Sequence, residues 1–237
     1  MTTPNVPVYD IFSAMAEETN ILIGGSTGSG KSVFEDGMLY NIFATMTPNE
    51  AEVYLIDPKI VQLRKWIGMP HVKGYADSVE MANVILEIVR IEMMNRYQEM
   101  ADDGIDKYEG SAVYVFIDEL ADLILEDKKI IGKLQKLFQL CRAANIHIVC
   151  CSQSVSRLTV PAVLQVNFTA RVGLRTADAI DSRQIIKQAG CESLPKYGYC
   201  ILNTADGIER RPVPMYSADQ IKALRLFWRG QKVGGTR

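Results

Sequence analysis

The sequence predicts an α/β protein whose mostly parallel central sheet is flanked by helices. Three observations carry that expectation. Short, largely apolar runs recur at Ile21–Ile23, Val53–Ile56, Val113–Ile117 and Ile146–Cys151, and such runs suit strands buried on both faces of a sheet. Helix-compatible stretches separate them. Each run ends in glycine or polar residues, at the carboxyl ends where open α/β sheets place their sites. With 237 residues, 48% hydrophobic and 23% charged, the chain is long enough for a large core and has ordinary globular composition.

Residues 1–20 read as a lead-in with one or two helical turns over Asp10–Glu18. The first run, Ile21–Ile23, then opens into Gly25-Ser26-Thr27-Gly28-Ser29-Gly30-Lys31-Ser32. This is G-x-x-x-x-G-K-[ST] between a strand and a helix that runs to about Met46. Its glycines let backbone N–H groups turn inward around a phosphate chain, and the helix N-terminus adds partial positive charge. Lys31 is expected on the β/γ-phosphates, and the Ser32 hydroxyl on Mg²⁺.

The second run ends in Asp57-Pro58-Lys59, which reads either as a strand stop or as part of a site. Asp77 or Ser78 caps a long helix reaching about Met100. Met81, Val84, Ile85, Ile88, Val89, Met93 and Tyr97 follow helical spacing, and the methionines are expected to pack. After a polar loop, Val113–Ile117 leads into Asp118-Glu119. Downstream of a phosphate loop this reads as a Walker B element: Asp118 in the Mg²⁺ shell and Glu119 as the general base on water. A basic amphipathic helix is expected over Asp127–Ala144, its lysines solvated. The next strand ends in Ser152-Gln153, and Gln153 is the candidate γ-phosphate sensor. A strand at Ala170–Leu174, a helix over about Asp178–Gly190, a strand at Gly198–Leu202 and a short helix with Leu226, Phe227 and Trp228 complete the order. Domain limits are expected at 21–228, with a polar tail over 229–237.

The bulk numbers narrow the function classes. No run of about 18 apolar residues exists, so no membrane span is expected, and Met1–Asp10 lacks the basic start and apolar core of a secretory signal. Five cysteines without framework spacing read as reduced, mostly buried thiols of a cytoplasmic protein. Two histidines leave little for an imidazole-based metal site. A net charge of −2 is not the footprint of a protein that coats nucleic acid. DNA contact would need local loops or a ring that concentrates weak contacts.

Taken together the motifs resemble the motor domain of the FtsK/SpoIIIE family of DNA translocases, over about Ile21–Trp228. The residues that carry the resemblance are Gly25–Ser32, Leu55-Ile-Asp-Pro-Lys59, Gly68-Met-Pro-His71, Ile117-Asp-Glu-Leu-Ala-Asp-Leu123 and Arg142-Ala-Ala-Asn-Ile-His147. Ile180-Asp-Ser-Arg183, Gln188-Ala-Gly190 and Glu192-Ser-Leu194 add to them. The resemblance implies a RecA-like P-loop NTPase fold and a homo-oligomeric ring of six. It also implies ATP and Mg²⁺ at subunit interfaces, with double-stranded DNA in the pore. Arg142 lies in the segment similar to the family's arginine finger; Arg171 and Arg183 are the next candidates. Gln153-Ser154-Val155 replaces the family's Gln-Arg-Pro, and Ala179 its lysine, for which Arg175 is a candidate substitute. The stretch before Asp118 is shorter than in cell-division members, leaving Gly104–Gly110 with Lys107, and Ser154–Val160 with Arg157, as candidate DNA loops. The membrane segment, linker, first motor subdomain and winged helix of larger members have no counterpart here, so a minimal ATPase core, of the kind suited to mobile genetic elements, is expected. The alternatives are a related ATPase that drives protein secretion or viral genome packaging, and a nucleotide-binding assembly factor.

Overall fold

The computed structural model describes residues 7–231. Helix α1 (Asp10–Glu17) precedes β1 (Asn20–Gly24), α2 (Lys31–Thr45), β2 (Ala51–Ile56), β3 (Val72–Ala76) and α3 (Val79–Asp103). Then come β4 (Ala112–Ile117), α4 (Leu120–Glu126), α5 (Lys129–Leu140), β5 (Ile146–Ser152), α6 (Ala162–Gln165) and β6 (Ala170–Gly173). Helix α7 (Ala179–Ile186), the hairpin β7 (Tyr199–Thr204) and β8 (Gly207–Pro212), and α8 (Ala218–Gln231) end the described chain.

One eight-stranded sheet runs in the order β3-β2-β4-β5-β1-β6-β7-β8. The first six strands are parallel, and β7 and β8 close it antiparallel. Both faces are covered, as parallel strands require. On one face α3, α4, α5, α6 and α7 pack against Val113, Val115, Ile117, Ile148 and Cys150. On the other, α1, α2 and α8 pack against Ile21, Ile23, Tyr114, Phe116 and Val149. All five cysteines are buried and free.

Several elements depart from the sequence expectation. Strands β3 and β8 were not expected. Val72-Lys-Gly-Tyr-Ala76 is a mixed, bulged edge strand, and Gly207–Pro212 is exposed almost throughout, so neither shows an apolar run. The basic helix over Asp127–Ala144 is shorter, and α4 precedes it. Asp127 Oδ1 accepts from Lys129 N (2.9 Å), so the chain breaks and restarts there. Ser78 caps α3 by accepting from Met81 N, but Met81 and Met94 point to solvent, at 43% and 48% exposed, whereas Met93 and Met100 are buried. Helix α8 continues to Gln231, and the rest of the expected tail, 232–237, lies outside the described residues, as do residues 1–6.

His71 is fully buried against Phe43 and Trp228. Its Nε2–H donates to Met46 O (2.8 Å), while Nδ1 has no partner. Burial depresses its pKa to about 4. A base with a depressed folded pKa binds fewer protons folded than unfolded. Its contribution is therefore intact above pH 6.5 and lost as pH falls towards 4. We expect the urea-unfolding free energy to drop by about 2–3 kcal/mol across that window, and His71→Phe to flatten the drop.

A candidate phosphate-binding site at the carboxyl ends of the parallel strands

Strand β1 delivers the chain into a turn that only glycines permit. Gly28 (φ 73°) and Gly30 (φ 102°) are left-handed. A side chain at Gly25 would come within 2.6 Å of Ser29 Oγ and 2.9 Å of Leu174 Cβ, so the loop closes only over glycine there. Ser26 N donates to Arg175 O (2.9 Å) and Ser29 N to Ser26 O (3.1 Å), which fixes the curl. At the start of α2 the N–H groups of Lys31 and Ser32 have no intrahelical acceptor. Lys31 folds back over the loop, its Nζ donating to Gly25 O (2.6 Å) and Ser26 O (3.1 Å). Burial lowers its pKa, against the nearby Glu119 and Asp118 carboxylates, which raise it.

Register brings the other elements alongside. Gly24 pairs with Ser152, and Ile117 with Cys150, so Asp118-Glu119 and Ser152-Gln153 emerge beside the glycine loop. The Asp118 carboxyl is pushed up to about 6 by burial and by the charges of Asp57 and Glu119, against Lys59 and Lys31. Glu119 is 6% exposed and left-handed (φ 68°). Its Oε1 accepts from Ser152 Oγ (3.0 Å) and Gln153 N (3.0 Å). Gln153 Oε1 in turn accepts from Thr27 Oγ1 (2.6 Å). The glycine loop, the candidate base and the candidate sensor therefore form one hydrogen-bonded chain.

This set fits a hard divalent cation shared with phosphates. Among the described residues no group of three or more His, Cys, Asp or Glu could hold a metal alone. An ion beside Asp118 and the exposed Ser32 would take its remaining ligands from phosphate oxygens and water. It would also relieve the crowding that raises the Asp118 pKa.

Asp57 plays a structural part. Its buried carboxylate accepts from Leu63 N (2.8 Å), Gln62 N (3.0 Å) and Val61 N (3.4 Å). This holds Ile60 in a left-handed conformation (φ 59°) that strains a β-branched residue. The clamped loop aims Lys59 at Asp122 Oδ2 (2.6 Å) and towards Glu119 Oε2 (4.0 Å).

The candidate arginines separate. Arg142 is exposed and precedes β5, a strand length of roughly 23 Å from Gln153 at its far end. It cannot reach its own glycine loop. Lys107 shares that amino end, while Arg157 lies at the carboxyl end, so the two candidate DNA loops sit at opposite ends of the sheet. Arg171 is buried and donates to the carbonyls of Ile185 (2.9 Å) and Gln165; these contacts remove it from the trans candidates. Arg183 is exposed on α7. The sequence reading missed Ser152 as a partner of Glu119. It also missed a cleft of 410 Å³ where Arg175 and Lys196 face Ser26–Ser29. Ser152 was legible as the polar neighbour of Gln153; Lys196 has no local signal.

We expect Asp57→Ala to destabilise the fold by about 3 kcal/mol, because the buried carboxylate holds three amides of the loop that follows it. Ile60→Gly, which relieves the left-handed strain, should be neutral or slightly stabilising. Urea-unfolding midpoints of the two variants check this.

Comparison with known proteins bears on the same residues. A family model described as the FtsK/SpoIIIE family matches residues 5–114. "DNA translocase FtsK" of Brucella melitensis is 28% identical over 90% of this chain and 32% of its own length. The protein of the same name from Mycobacterium tuberculosis is 34% identical over 78% of this chain and 25% of its own. The chain thus spans about a third of the length of the curated relatives it matches. Among solved structures, EssC (ATPases 2 and 3) from Geobacillus thermodenitrificans superposes with a TM-score of 0.80 at 15% identity. That superposition covers 94% of this chain and 46% of that one, a likeness of fold. A glycine loop and a carboxylate pair converge on that fold, and over most of its length this chain is similar to members of the FtsK/SpoIIIE family.

Proposed function

We propose that the chain is the ATP-hydrolysing motor core of a double-stranded DNA translocase, working as a ring of six in the cytoplasm. The observation that carries this reading is the hydrogen-bonded chain from Thr27 through Gln153 to Glu119. It joins a phosphate-binding loop to a buried carboxylate able to take a proton from water. The curated relatives are DNA translocases by name, which supports the choice of DNA as cargo. The buried free cysteines support a reducing compartment, and no helix among the described residues is long and apolar enough to cross a membrane.

In this reading the loop from Gly25 to Ser32 holds ATP through its backbone N–H groups. Lys31 leaves the Gly25 and Ser26 carbonyls for phosphate oxygens. Ser32 and Asp118 hold Mg²⁺, which supplies charge neutralisation on the phosphates. Glu119, fixed by Ser152 and Gln153, accepts the proton of the attacking water. Gln153 stands against Thr27, where the γ-phosphate arrives. Developing charge on the phosphoryl oxygens calls for a further cation. Arg142 lies too far from its own loop to supply it, which supports a role towards the neighbouring subunit.

The test is steady-state ATP hydrolysis with and without linear double-stranded DNA across a salt series. We expect stimulation that falls steeply with salt. Lys31→Ala should abolish turnover, and Glu119→Gln should bind ATP yet lose turnover by about 100-fold or more. Hydrolysis indifferent to DNA at low salt would reject DNA coupling and favour a protein cargo. Arg142→Ala should lose turnover by about 1000-fold while retaining nucleotide binding. Mixing it with Glu119→Gln subunits should restore part of the rate if the arginine acts in trans.

A further inference from the structure

The Ser152 side chain is fully buried and its hydroxyl faces two acceptors at once. Glu119 Oε1 lies 3.0 Å from Oγ, and the backbone oxygen of Ser154 lies 2.8 Å from it. A serine hydroxyl has one proton to donate. One acceptor belongs to the candidate base and the other to the first residue of the segment 154–160.

That segment is built as a unit. Val155 and Val160 anchor it in the core, at 2% and 0% exposed. Between them Thr159 Oγ1 donates to Ser154 O (3.0 Å) and accepts from Ser156 N (2.9 Å), and Val160 N donates to Ser156 O (2.8 Å). Its tip carries Arg157 and Leu158, the latter 86% exposed. Ser154 O already has the Thr159 hydroxyl, so it keeps a partner when Ser152 turns away. Glu119 keeps Gln153 N–H when Ser152 turns the other way. Neither position of the proton leaves a buried acceptor bare, so the two states lie close in energy.

We infer that Ser152 is a positioning residue whose single proton is shared between Glu119 and the 154–160 segment. Displacement of that segment by cargo commits the proton to Glu119 and fixes the carboxylate for hydrolysis. The role in turnover rests on the proposed ATPase reading; the proton sharing does not. Ser152 acts through Glu119.

The test has two arms. Hydrogen exchange over 154–160 is measured without nucleotide or DNA. In Glu119→Ala the proton has only Ser154 O to serve, so exchange should slow about twofold. Ser152→Ala should speed it about twofold, so that the two variants differ by about fivefold, the worth of one hydrogen bond. The double variant should match Ser152→Ala, and Ser152→Thr, which keeps the hydroxyl, should match wild type. Unchanged exchange in Glu119→Ala, or additive effects in the double variant, would overturn the shared proton. The second arm is ATP hydrolysis with linear double-stranded DNA. Ser152→Ala should lower the DNA-stimulated kcat several-fold with KM for ATP little moved, and Ser152→Thr should recover it. A wild type that hydrolyses ATP without DNA stimulation defeats the translocase reading, while the exchange arm still decides the proton. Stimulation equal in Ser152→Ala and wild type overturns the coupling.

Discussion

The parallel register of β4, β5 and β1 is the constraint on which the rest depends. These strands pair with Gly24 beside Ser152 and Ile117 beside Cys150. Their ends therefore reach solvent at one level. A glycine loop, two carboxylates and a glutamine from three distant parts of the sequence meet there without any long side chain having to reach. A slip of one residue in any of these strands would reverse its faces, exchanging side chains packed in one core (Leu22, Ile148, Cys150) for those packed in the other (Ile21, Ile23, Val149), and would move its site residues out of level. The core and the site are thus enforced by the same pairing.

Within that frame the site concentrates what the fold elsewhere avoids. Two of the four non-glycine residues at positive φ among the described residues, Ile60 and Glu119, lie there. So do the buried Asp57, the raised Asp118 and the lowered Lys31. Each has hydrogen-bond partners: three amides for Asp57, the Ser152 hydroxyl and Gln153 amide for Glu119, two loop carbonyls for Lys31. Strain kept by surrounding structure is a mark of functional positions. Here it supports the assignment of Glu119 independently of its place after an apolar strand.

The fold class and the glycine loop were legible because both leave local marks: apolar runs, and a spacing of glycines, lysine and serine. Asp118 and Glu119 were legible as the end of such a run. What stayed hidden depends on contacts between distant segments. Asp57 looked as suited to a site as to a strand stop, and only the amides of Val61, Gln62 and Leu63 make it a clamp. Arg171 looked like a trans candidate until its guanidinium was seen spent on two carbonyls. Strands β3 and β8 were missed because an edge strand needs only one neighbour and little burial, so its sequence carries no apolar signature.

Those two edge strands decide how this sheet can meet another copy of itself. At one margin β3 is five residues long and bulged against β2. At the other, β8 presents Glu209, Arg210 and Arg211 and ends on Pro212. Neither margin offers a long, flat, apolar row of free amides and carbonyls, so strand-to-strand extension between molecules is blocked at both. Any association between copies of this chain would therefore run through the loops at the strand ends or through helix faces. Contacts of that kind can loosen and re-form, whereas a continuous intermolecular sheet would lock copies together.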